Sequence, residues 1–336
     1  MKHLVLPCLL LAVVACGADG GDDGPPPLTG DLYSLRYGPI TVQPGDEATR
    51  CVNLRLSNTG AIKVHQLRNL LSAGSHHLIV YKDDLETTER ATPYECQPFT
   101  GALNLSGMVA PVMITQKAED ALTLPDRVAY TFAPNQMIRI EMHYINTTDA
   151  PLEVSATTEL YAVPESEIDH EANILFIGTP DISIPAGAMT DVHAYFTPSR
   201  AQLDLSGAKF FAITGHTHAH GRDVTISTAT SAGGPFTSVY APSAFDWSEP
   251  ETAVHRPEFT LPAGAQSGFD FTCSYHNTSA TTAGFGESAN DEMCFFWTYY
   301  YPSKGSHVCI RTLMFGGIDI CCPDAGAAIC DMIDQL

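Results

Sequence analysis

The histidines are the residues of this chain whose types and spacing most directly suggest chemistry. Thr214–His220 reads TGHTHAH, and residues two apart on a β-strand point to the same side. Imidazole is the commonest metal ligand in proteins, so His216 and His218 are predicted to bind one metal ion. His220 joins them only if the strand continues. The apolar run Phe210–Ile213 leads into this motif and favours a metal site over a polar surface strand.

Two further histidine positions are more ambiguous. Ser75–Tyr81 reads SHHLIVY, and adjacent residues on a regular strand point to opposite faces. His76 and His77 can therefore share one metal only at a strand end, at a bulge or through different ring nitrogens. His143 lies beside Glu141 on the polar face of another strand, where a lone histidine is more often structural. A structural role stays open for all three.

A methionine follows Asp291-Glu292 and precedes an aromatic run that ends at Pro302. By composition alone Met293 is a core residue. As a ligand, a thioether matters only for soft metals, copper above all.

The elements that must position these side chains are predicted to be strands. Apolar and polar residues alternate in Met137–Ile145 and in Lys209–His220, which is the period of a half-buried strand. Short helices are expected only at Gln66–Leu71 and in the tail near Ala325–Leu336. Further short strands are predicted at His77–Tyr81, Arg127–Phe132, Leu152–Thr157, Asp223–Ser227 and Glu258–Leu261.

Such a pattern predicts an all-β chain of two tandem antiparallel β-sandwich, jelly-roll-like domains. The boundary is placed in the polar stretch Pro164–Asn173. The predicted domains are residues 30–167 and residues 168–308, followed by a cysteine-rich tail at 309–336.

Composition excludes several classes of protein. The 336 residues include 17 Lys and Arg against 38 Asp and Glu, a formal net charge of −21, so a nucleic-acid partner is not expected. The 44% apolar content rules out a disordered acidic chain. The acidic balance weakly favours neutral or cationic substrates, and the oligomeric state is left undetermined.

The N-terminus predicts the compartment. Leu4–Val14 is almost wholly apolar and follows Lys2, which is the layout of a signal peptide at 1–15 and is too short to span a bilayer. The run ends VVAC and resembles a bacterial lipobox, so Cys16 is predicted to be lipidated and 16–29 to be a tether. An ordinary signal peptide is the alternative. The expected location is the bacterial cell envelope, periplasmic or outer-membrane and extracellular, with membrane contact through the lipid alone.

The remaining cysteines agree with that compartment. Setting aside Cys8 and Cys16 leaves an even number, and an oxidising environment favours up to four disulfides. A metal site is the weaker alternative because the chain has no CxxC pair. These cysteines are Cys51, Cys96, Cys273, Cys294, Cys309, Cys321, Cys322 and Cys330.

Taken together, the motifs resemble one family, the ascorbate-dependent type II copper monooxygenases of the dopamine β-hydroxylase and peptidylglycine α-hydroxylating monooxygenase kind. The resemblance covers about residues 45–305 and lies in the joint order of the motifs. They are HHLIVY at His76–Tyr81, EMHYIN at Glu141–Asn146, HTH at His216–His218, and the segment Cys273–Cys294 that runs into YYYP at Tyr299–Pro302.

The resemblance implies two coppers per chain in two domains that face each other across an open, solvent-filled cleft. It assigns His76, His77 and His143 to an electron-storing copper. It assigns His216, His218 and Met293 to the copper where dioxygen reacts, and it gives His220 no role. The implied reaction hydroxylates a C–H bond of a small organic substrate with O2 and with ascorbate or another small reductant. A copper-binding or copper-storing lipoprotein without turnover is the alternative.

The resemblance also implies the disulfides Cys51–Cys96 and Cys273–Cys294. Cys309, Cys321, Cys322 and Cys330 depart from the family pattern and are inferred to pair among themselves. The vicinal pair Cys321–Cys322 is disfavoured because its geometry is strained. Thr214 and Trp297 stand where the peptide-processing member has arginine and tyrosine, so a peptidylglycine substrate is not supported.

Overall fold

The computed structural model of the chain describes residues 27–96, 108–286, 288, 291–326 and 329–330. Regular structure in these residues is almost entirely β, which confirms the all-β prediction. The predicted signal peptide, Cys16 and most of the tether lie outside the described residues. Among the residues that are described, no helix is long and apolar enough to cross a membrane.

Eleven strands come before residue 172. They are β1 Asp31–Val42, β2 Glu47–Arg55, β3 Ile62–Leu71, β4 Ser75–Asp83, β5 Arg90–Glu95, β6 Val109–Thr115, β7 Glu119–Thr123, β8 Val128–Phe132, β9 Met137–Ile145, β10 Leu152–Val163 and β11 His170–Glu171. One sheet has the order β1-β10-β3-β8-β11, with β7 also paired to β3, and a second sheet has the order β5-β2-β9-β4-β6. Their apolar faces share one hydrophobic core, so these strands form a first sandwich.

The strands after residue 172 form a second sandwich. They are β12 Asn173–Thr179, β13 Ser183–Ile184, β14 Met189–Phe196, β15 Lys209–His216, β16 Gly221–Ala229, β17 Phe236–Tyr240, β18 Ala253–Phe259, β19 Gly268–His276, β20 Ala283–Gly284, β21 Cys294–Tyr301, β22 His307–Thr312 and β23 Ile318–Cys322. A six-stranded sheet, β18-β15-β21-β12-β22-β23, packs on a four-stranded sheet, β14-β19-β16-β17, and β13 pairs with β20.

The aromatic strand β21 serves two cores because its side chains alternate between faces. Phe296 and Tyr300 belong to the core of the second sandwich. Phe295, Trp297 and Tyr299 belong to the hydrophobic cluster of the first sandwich. The six-stranded sheet is therefore buried on both sides, and its outer face is the contact between the two sandwiches.

A hydrogen bond fixes the register of that contact. The backbone N–H of Ile114 in β6 donates to the Tyr299 hydroxyl at 3.1 Å, and both residues are buried. An edge strand of the first sandwich thus lies directly against the central strand that leads from Met293 into the second.

The sheet pairing crosses the predicted limits of the domains. His170–Glu171 pairs in parallel with β8 of the first sandwich, although the predicted second domain begins at 168. Strand β22 spans the predicted boundary at 308/309 and pairs in parallel with β12, and β23 extends the same sheet. Residues up to Cys322 therefore complete the second sandwich and do not form a separate tail.

The prediction of a short helix at Gln66–Leu71 is wrong. These residues form the second half of β3, which pairs with β10 on one side and with β7 on the other. Gln66, Leu67 and Asn69 are all buried there, and sheet pairing outweighs the local helical preference of the segment. Of the second helical candidate, the tail, too few residues are described to test the prediction.

Four disulfides staple the fold, as the cysteine count predicts. Cys51–Cys96 ties β2 to the end of β5, and Cys273–Cys294 ties β19 to the start of β21. The last four cysteines pair as Cys309–Cys321 and Cys322–Cys330. The strained vicinal pairing is thus avoided.

Candidate metal centre

A bulge brings His76 and His77 to the same site. In the pairing of β4 with β9, Ser75 lies opposite Tyr144 and His77 lies opposite His143, so two steps on β4 match one step on β9. His76 is the extra residue of this irregularity. A bulge re-aims a side chain that would otherwise point to the opposite face. Adjacent histidines can therefore join the cross-strand partner His143.

The three rings form a compact cluster. Their centroids lie 5.5 Å apart for His76–His77, 5.1 Å for His76–His143 and 4.9 Å for His77–His143. One ligand atom from each residue lies within 4.8 Å of the other two. This is the spacing of a three-nitrogen metal site.

The hydrogen bonds indicate which nitrogen each ring presents. His143 Nε2 lies 2.9 Å from Oε1 of Glu47 and donates to it, so its Nδ1 is left as the acceptor. The Nδ1 atoms of His76 and His77 approach each other at 3.3 Å. All three Nδ1 atoms are therefore the ligands that this cluster offers to a metal. The Glu47 carboxylate is an orienting partner of the kind that metal-bound imidazoles commonly have.

The second set of predicted ligands, His216, His218 and Met293, comes from the end of β15 and from the residues just before β21. His216 is the last residue of β15 and lies opposite Phe295 of β21. The strand pairing ends at His216 and Phe295, and Met293 comes two residues before Phe295 in the chain. Met293 is buried, and its carbonyl accepts a hydrogen bond from the Tyr275 hydroxyl at 2.6 Å. The centroids of the His216 and His218 rings are 5.2 Å apart.

The turn after β15 is possible because Gly221 has no side chain. A Cβ at Gly221 would lie 1.8 Å from the Thr217 hydroxyl oxygen. The Gly221 N–H donates to the His218 carbonyl at 2.9 Å and closes the turn. This close packing fixes the backbone that carries His218.

In the second set the ring proton is on Nδ1, whereas in His143 of the first set it is on Nε2. His216 Nδ1 lies 3.0 Å from Oε1 of Gln116, and His218 Nδ1 lies 3.1 Å from the Asp291 carbonyl oxygen. Both acceptors require a proton on Nδ1, so each ring presents Nε2 as its lone pair. Gln116 belongs to the first sandwich and follows β6, so one second-set ligand is oriented from across the contact.

Glu292 holds the backbone of this second set. Its side chain is fully buried and accepts the N–H of His218 at 3.0 Å and the N–H of His220 at 2.6 Å. Burial raises the pKa of Glu292 to about 7. The backbone donors have the smaller, opposite effect, because they favour the ionised carboxylate. Because Glu292 directly precedes Met293, one residue links the HTH turn to the methionine.

The two sets influence each other electrostatically. Burial first, and then the neighbouring His143 and His218, lower the pKa of His76 to about 4. Burial also holds the pKa of His77 well below its ordinary value, and repulsion by the imidazoles of both sets, His216 among them, lowers it further. Burial also lowers the pKa of His143, His216 and His218. The rings are therefore neutral at neutral pH, which is the form that binds a metal.

The open cleft implied by the resemblance differs from this arrangement. His77, His143, His216 and His218 are all buried, and the His76 ring packs on Trp247 of the second sandwich with 5.7 Å between centroids. The outer face of the six-stranded sheet is apolar, and its burial against β6 brings the histidine sets together.

Histidines outside the two sets have partners of their own. His193 and His307 lie 2.7 and 3.0 Å from Asp270 and Asp324, and His65 and His255 contact backbone carbonyls. His220 contributes its backbone to the site through the bond to Glu292. Sequence reasoning missed Glu47, Gln116 and Glu292, because their contacts lie 72 to 100 residues away along the chain.

The donor types fit copper. The first set offers three imidazole nitrogens. The second set consists of two imidazoles whose centroids are 5.2 Å apart, together with the buried thioether of Met293. Imidazole suits both copper oxidation states and a thioether favours copper(I), whereas zinc or calcium sites have no need of methionine.

Comparison with known proteins agrees with the chemistry of the donors. Residues 170–314 match the family model described as copper type II ascorbate-dependent monooxygenase, C-terminal domain. This range contains His216, His218 and Met293. No curated protein matches the chain.

Solved structures give only faint likenesses. The major capsid protein P2 of bacteriophage PM2 is 10% identical with a TM-score of 0.35, over 82% of this chain and 100% of that one. A structure from Sulfolobus Turreted Icosahedral Virus is 9% identical with a TM-score of 0.19, over 80% of this chain and 59% of that one. Such scores do not define a shared fold.

The family match and the donor set coincide in the second sandwich, where the matched range holds the two histidines and the methionine. This part of the chain, residues 170–314, is therefore similar to the C-terminal domain of the copper type II ascorbate-dependent monooxygenases.

Proposed function

We propose that this protein is a copper-dependent monooxygenase that hydroxylates a C–H bond of a small organic substrate with O2 and a one-electron reductant such as ascorbate. The observation that carries the proposal is that two histidine sets, of which only the second has a buried methionine in its predicted ligands, both lie at the contact between the sandwiches. A protein that only stores copper has no need of two chemically different sites.

When bound, copper supplies one-electron redox change and the activation of dioxygen. The residues of this chain do the positioning. Gln116 and the Asp291 carbonyl keep the protons of His216 and His218 on Nδ1, and Glu47 keeps that of His143 on Nε2. The imidazoles therefore need no rearrangement to bind.

The apolar surroundings exclude water from the second set. Phe295 and Trp297 are buried beside it, and the Trp297 ring lies 6.0 Å from that of His216. Exclusion of water strengthens electrostatic interactions and protects reactive species from side reactions. A substrate must enter this contact, so the sandwiches are expected to separate locally during turnover.

Copper analysis and oxygen consumption test the proposal. The wild-type chain is expected to bind two coppers and to consume O2 with ascorbate when a substrate is present. Met293→Ile is expected to abolish oxygen use because it removes the soft ligand. His143→Ala is expected to slow reduction because it removes one ligand of the electron-storing site.

The matched controls are Met137→Ile, a buried methionine of β9, and His193→Ala, an exposed histidine paired with Asp270. Both are expected to keep copper content and oxygen use. Binding of no copper by the wild type would contradict the proposal. Slow peroxide release without any hydroxylated product would favour the storage function.

We further propose that the protein is anchored at the bacterial cell surface or in the periplasm by a lipid on Cys16. Four disulfides support this because such bonds persist in oxidising compartments. Metabolic labelling with a radioactive fatty acid, compared between the wild type and Cys16→Ser, tests it. Equal labelling would contradict the anchor.

A further inference from the structure

Two histidines outside the metal sets are exceptions to the pairing of the others. The imidazoles of His220 and His276 make no hydrogen bond or ring contact to another residue in the described part of the chain, whereas every other described histidine does. Both residues are only partly buried. Their rings are therefore accessible to a ligand from solvent.

These two histidines belong to one row of residues that crosses three strands. Met189 of β14 lies directly opposite His276 of β19. The N–H of His276 donates to the carbonyl of His220, just before β16, at 2.8 Å, and the N–H of Asn277 donates to the Ala188 carbonyl at 2.9 Å. Met189 and His276 are therefore a non-hydrogen-bonded pair, in which opposite side chains approach most closely. We call Met189, His220 and His276 the surface row.

The surface row points away from the core of the second sandwich. Tyr275 is buried in that core, and successive side chains on a strand alternate between faces, so His276 points to the solvent side. Met189 shares that face as the opposite neighbour, and its exposed fraction is 80%. Burial first, and then Arg222 and His276, lower the pKa of His220, which indicates that the two rings interact electrostatically.

The donors of the surface row match those of the predicted second set, namely two imidazoles and a thioether. A thioether favours copper(I), and zinc has no need of it. Asp191 and Asp223 follow on the same face, each opposite Ser274, and their carboxylates attract a cation. Among the described residues, only the first set holds three His, Cys, Asp or Glu donor atoms within 4.8 Å. The exposed row is therefore suited to weak, exchangeable binding.

One turn connects the surface row to the second set. His220 follows His218 by two residues, so their Cα atoms are no more than about 7 Å apart. Glu292 accepts the backbone N–H of both residues and fixes the turn. An ion on the surface row is therefore next to the backbone that carries a ligand of the second set.

We propose that the surface row is a copper(I) site that loads the second set. This inference rests on the proposed copper function. All three residues of the second set are buried, so copper needs an exposed site of matching chemistry from which to enter. Copper(I) leaves the imidazoles and thioether of the row and binds those of the second set. Its oxidation state does not change, and because all these donors are neutral, no proton is transferred.

Copper(I) added to the chain after its two buried sites have been filled and excess metal has been removed tests binding at the row. A further equivalent is expected to bind anaerobically in competition with a copper(I) chelator. It is expected to shift one methyl signal in the NMR spectrum of protein labelled with methyl-¹³C-methionine, and Met189→Leu should lack that signal. Loss of an orienting partner already costs roughly 10- to 100-fold in metal affinity, so His276→Asn should weaken the further equivalent at least about tenfold.

The matched controls are Met314→Leu and His193→Asn. Met314 is an exposed methionine outside the row, and His193 is an exposed histidine on the same face of β14. Both variants should bind the further equivalent as the wild type does. If zinc fills the row in preference to copper(I) and leaves the Met189 methyl signal unshifted, the row is not a copper site.

Loading kinetics test the transfer. Copper-free protein is mixed anaerobically with chelated copper(I), and the loss of the chelator complex is followed by stopped-flow absorbance. His276→Asn should fill the buried sites at least about tenfold more slowly than the wild type, because the ion loses its high effective concentration beside the second set. The final occupancy of the buried sites should be the same in both.

The outcomes separate this inference from the proposed function. If the wild type fills its buried sites and takes up no further equivalent, the row is not a copper site and the monooxygenase proposal stands. Equal loading rates in the wild type and His276→Asn would overturn the role of the row in loading. If the wild type binds no copper at any site, both proposals fail.

Discussion

The position of one proton on each imidazole decides what the histidines of this protein can bind. Glu47 draws the His143 proton to Nε2, whereas Gln116 and the Asp291 carbonyl hold those of His216 and His218 on Nδ1. The first set therefore offers δ-nitrogens and the second offers ε-nitrogens. Two sites built from the same residue type thus differ in approach and geometry.

Glu292 is the residue whose loss should disturb the second set most selectively. Glu292→Gln replaces one acceptor oxygen with an amide that faces the N–H of His218 or His220. We expect the free energy of unfolding to fall by about 1 to 3 kcal/mol and copper affinity at the second set to fall roughly 10- to 100-fold. Thermal unfolding and competition with a copper(I) chelator measure the two effects.

The control is Glu89→Gln, an exposed glutamate that accepts one backbone N–H, from Arg55. It should leave copper binding unchanged. Equal copper affinity in Glu292→Gln and the wild type would show that the turn keeps its shape without the carboxylate.

Acid should destabilise the copper-free protein. Burial lowers the pKa of His76 to about 4, so between that value and the ordinary 6.5 the unfolded chain binds more protons than the native chain. The free energy of unfolding therefore falls as the pH drops through this window, with a contribution from His76 of about 2 kcal/mol between pH 7 and pH 5. The four other buried imidazoles act in the same direction.

Three carboxyl groups oppose this effect. Burial raises the pKa of Glu292 to about 7, that of Asp120 to about 6 and that of Asp319 above its ordinary value, so all three bind protons more readily in the native chain. Because five imidazoles outnumber them, we expect a net loss in urea unfolding at pH 5 relative to pH 7. His76→Asn should show a smaller loss and His193→Ala the same loss as the wild type. A pH-independent stability would contradict the prediction.

At this scale the sequence predicts the ligands better than their partners. Strand periodicity together with the family motifs predicts His216, His218 and Met293 as ligands. A bulge, which the sequence allowed as one alternative, brings His76 and His77 together with His143. The orienting residues carry no local signal. Gln116 is one glutamine among several until the fold brings it to His216.

Among the elements, β6 has an effect beyond its own sheet. It is the edge strand next to β4, its Ile114 N–H reaches Tyr299, and the following Gln116 orients His216. Gln116→Leu should lower copper affinity at the second set roughly 10- to 100-fold and leave the first set unchanged, because only the second loses its proton acceptor. Site-resolved copper titration checks this.

Gln116→Glu should restore the affinity, since a carboxylate accepts the same hydrogen bond. The control is Gln66→Leu, which alters a buried glutamine of β3 whose amide nitrogen bonds to Pro27 and Thr123 rather than to a histidine. It should cost stability and spare copper binding. If the copper affinity of the second set is unchanged in Gln116→Leu, His216 keeps its tautomer without the hydrogen bond to Gln116.

Alternation predicts most strands near the site, and β9 has the predicted bounds Met137–Ile145. It fails at Gln66–Leu71 because the neighbours Gln66 and Leu67 are both buried although they point to opposite faces, so the period of two is lost there. Local sequence patterns also do not predict which strands pair with each other in a sheet. The parallel pairing of β12 with β22 joins residues more than a hundred positions apart.

For the whole molecule, one continuous hydrophobic cluster joins the sandwiches. It contains Leu78 and Ile140 of the first together with Phe295 and Trp297 of the second. We therefore expect a single cooperative thermal transition, with calorimetric and van't Hoff enthalpies in agreement. Two separated transitions would contradict this expectation and would indicate sandwiches that fold independently.

Strand β22 has a consequence for how the chain can be made. Until residues 307–322 have been synthesised, β12 is an uncovered edge with unpaired backbone groups, and both cores lack residues that β22 supplies, such as Cys309 and Val308. Exposed edges invite pairing with other chains. A ribosome that stalls before these codons, or a gene fragment cut there, would release an aggregation-prone product. Only a chain that has been translated through the last strands can bury this edge.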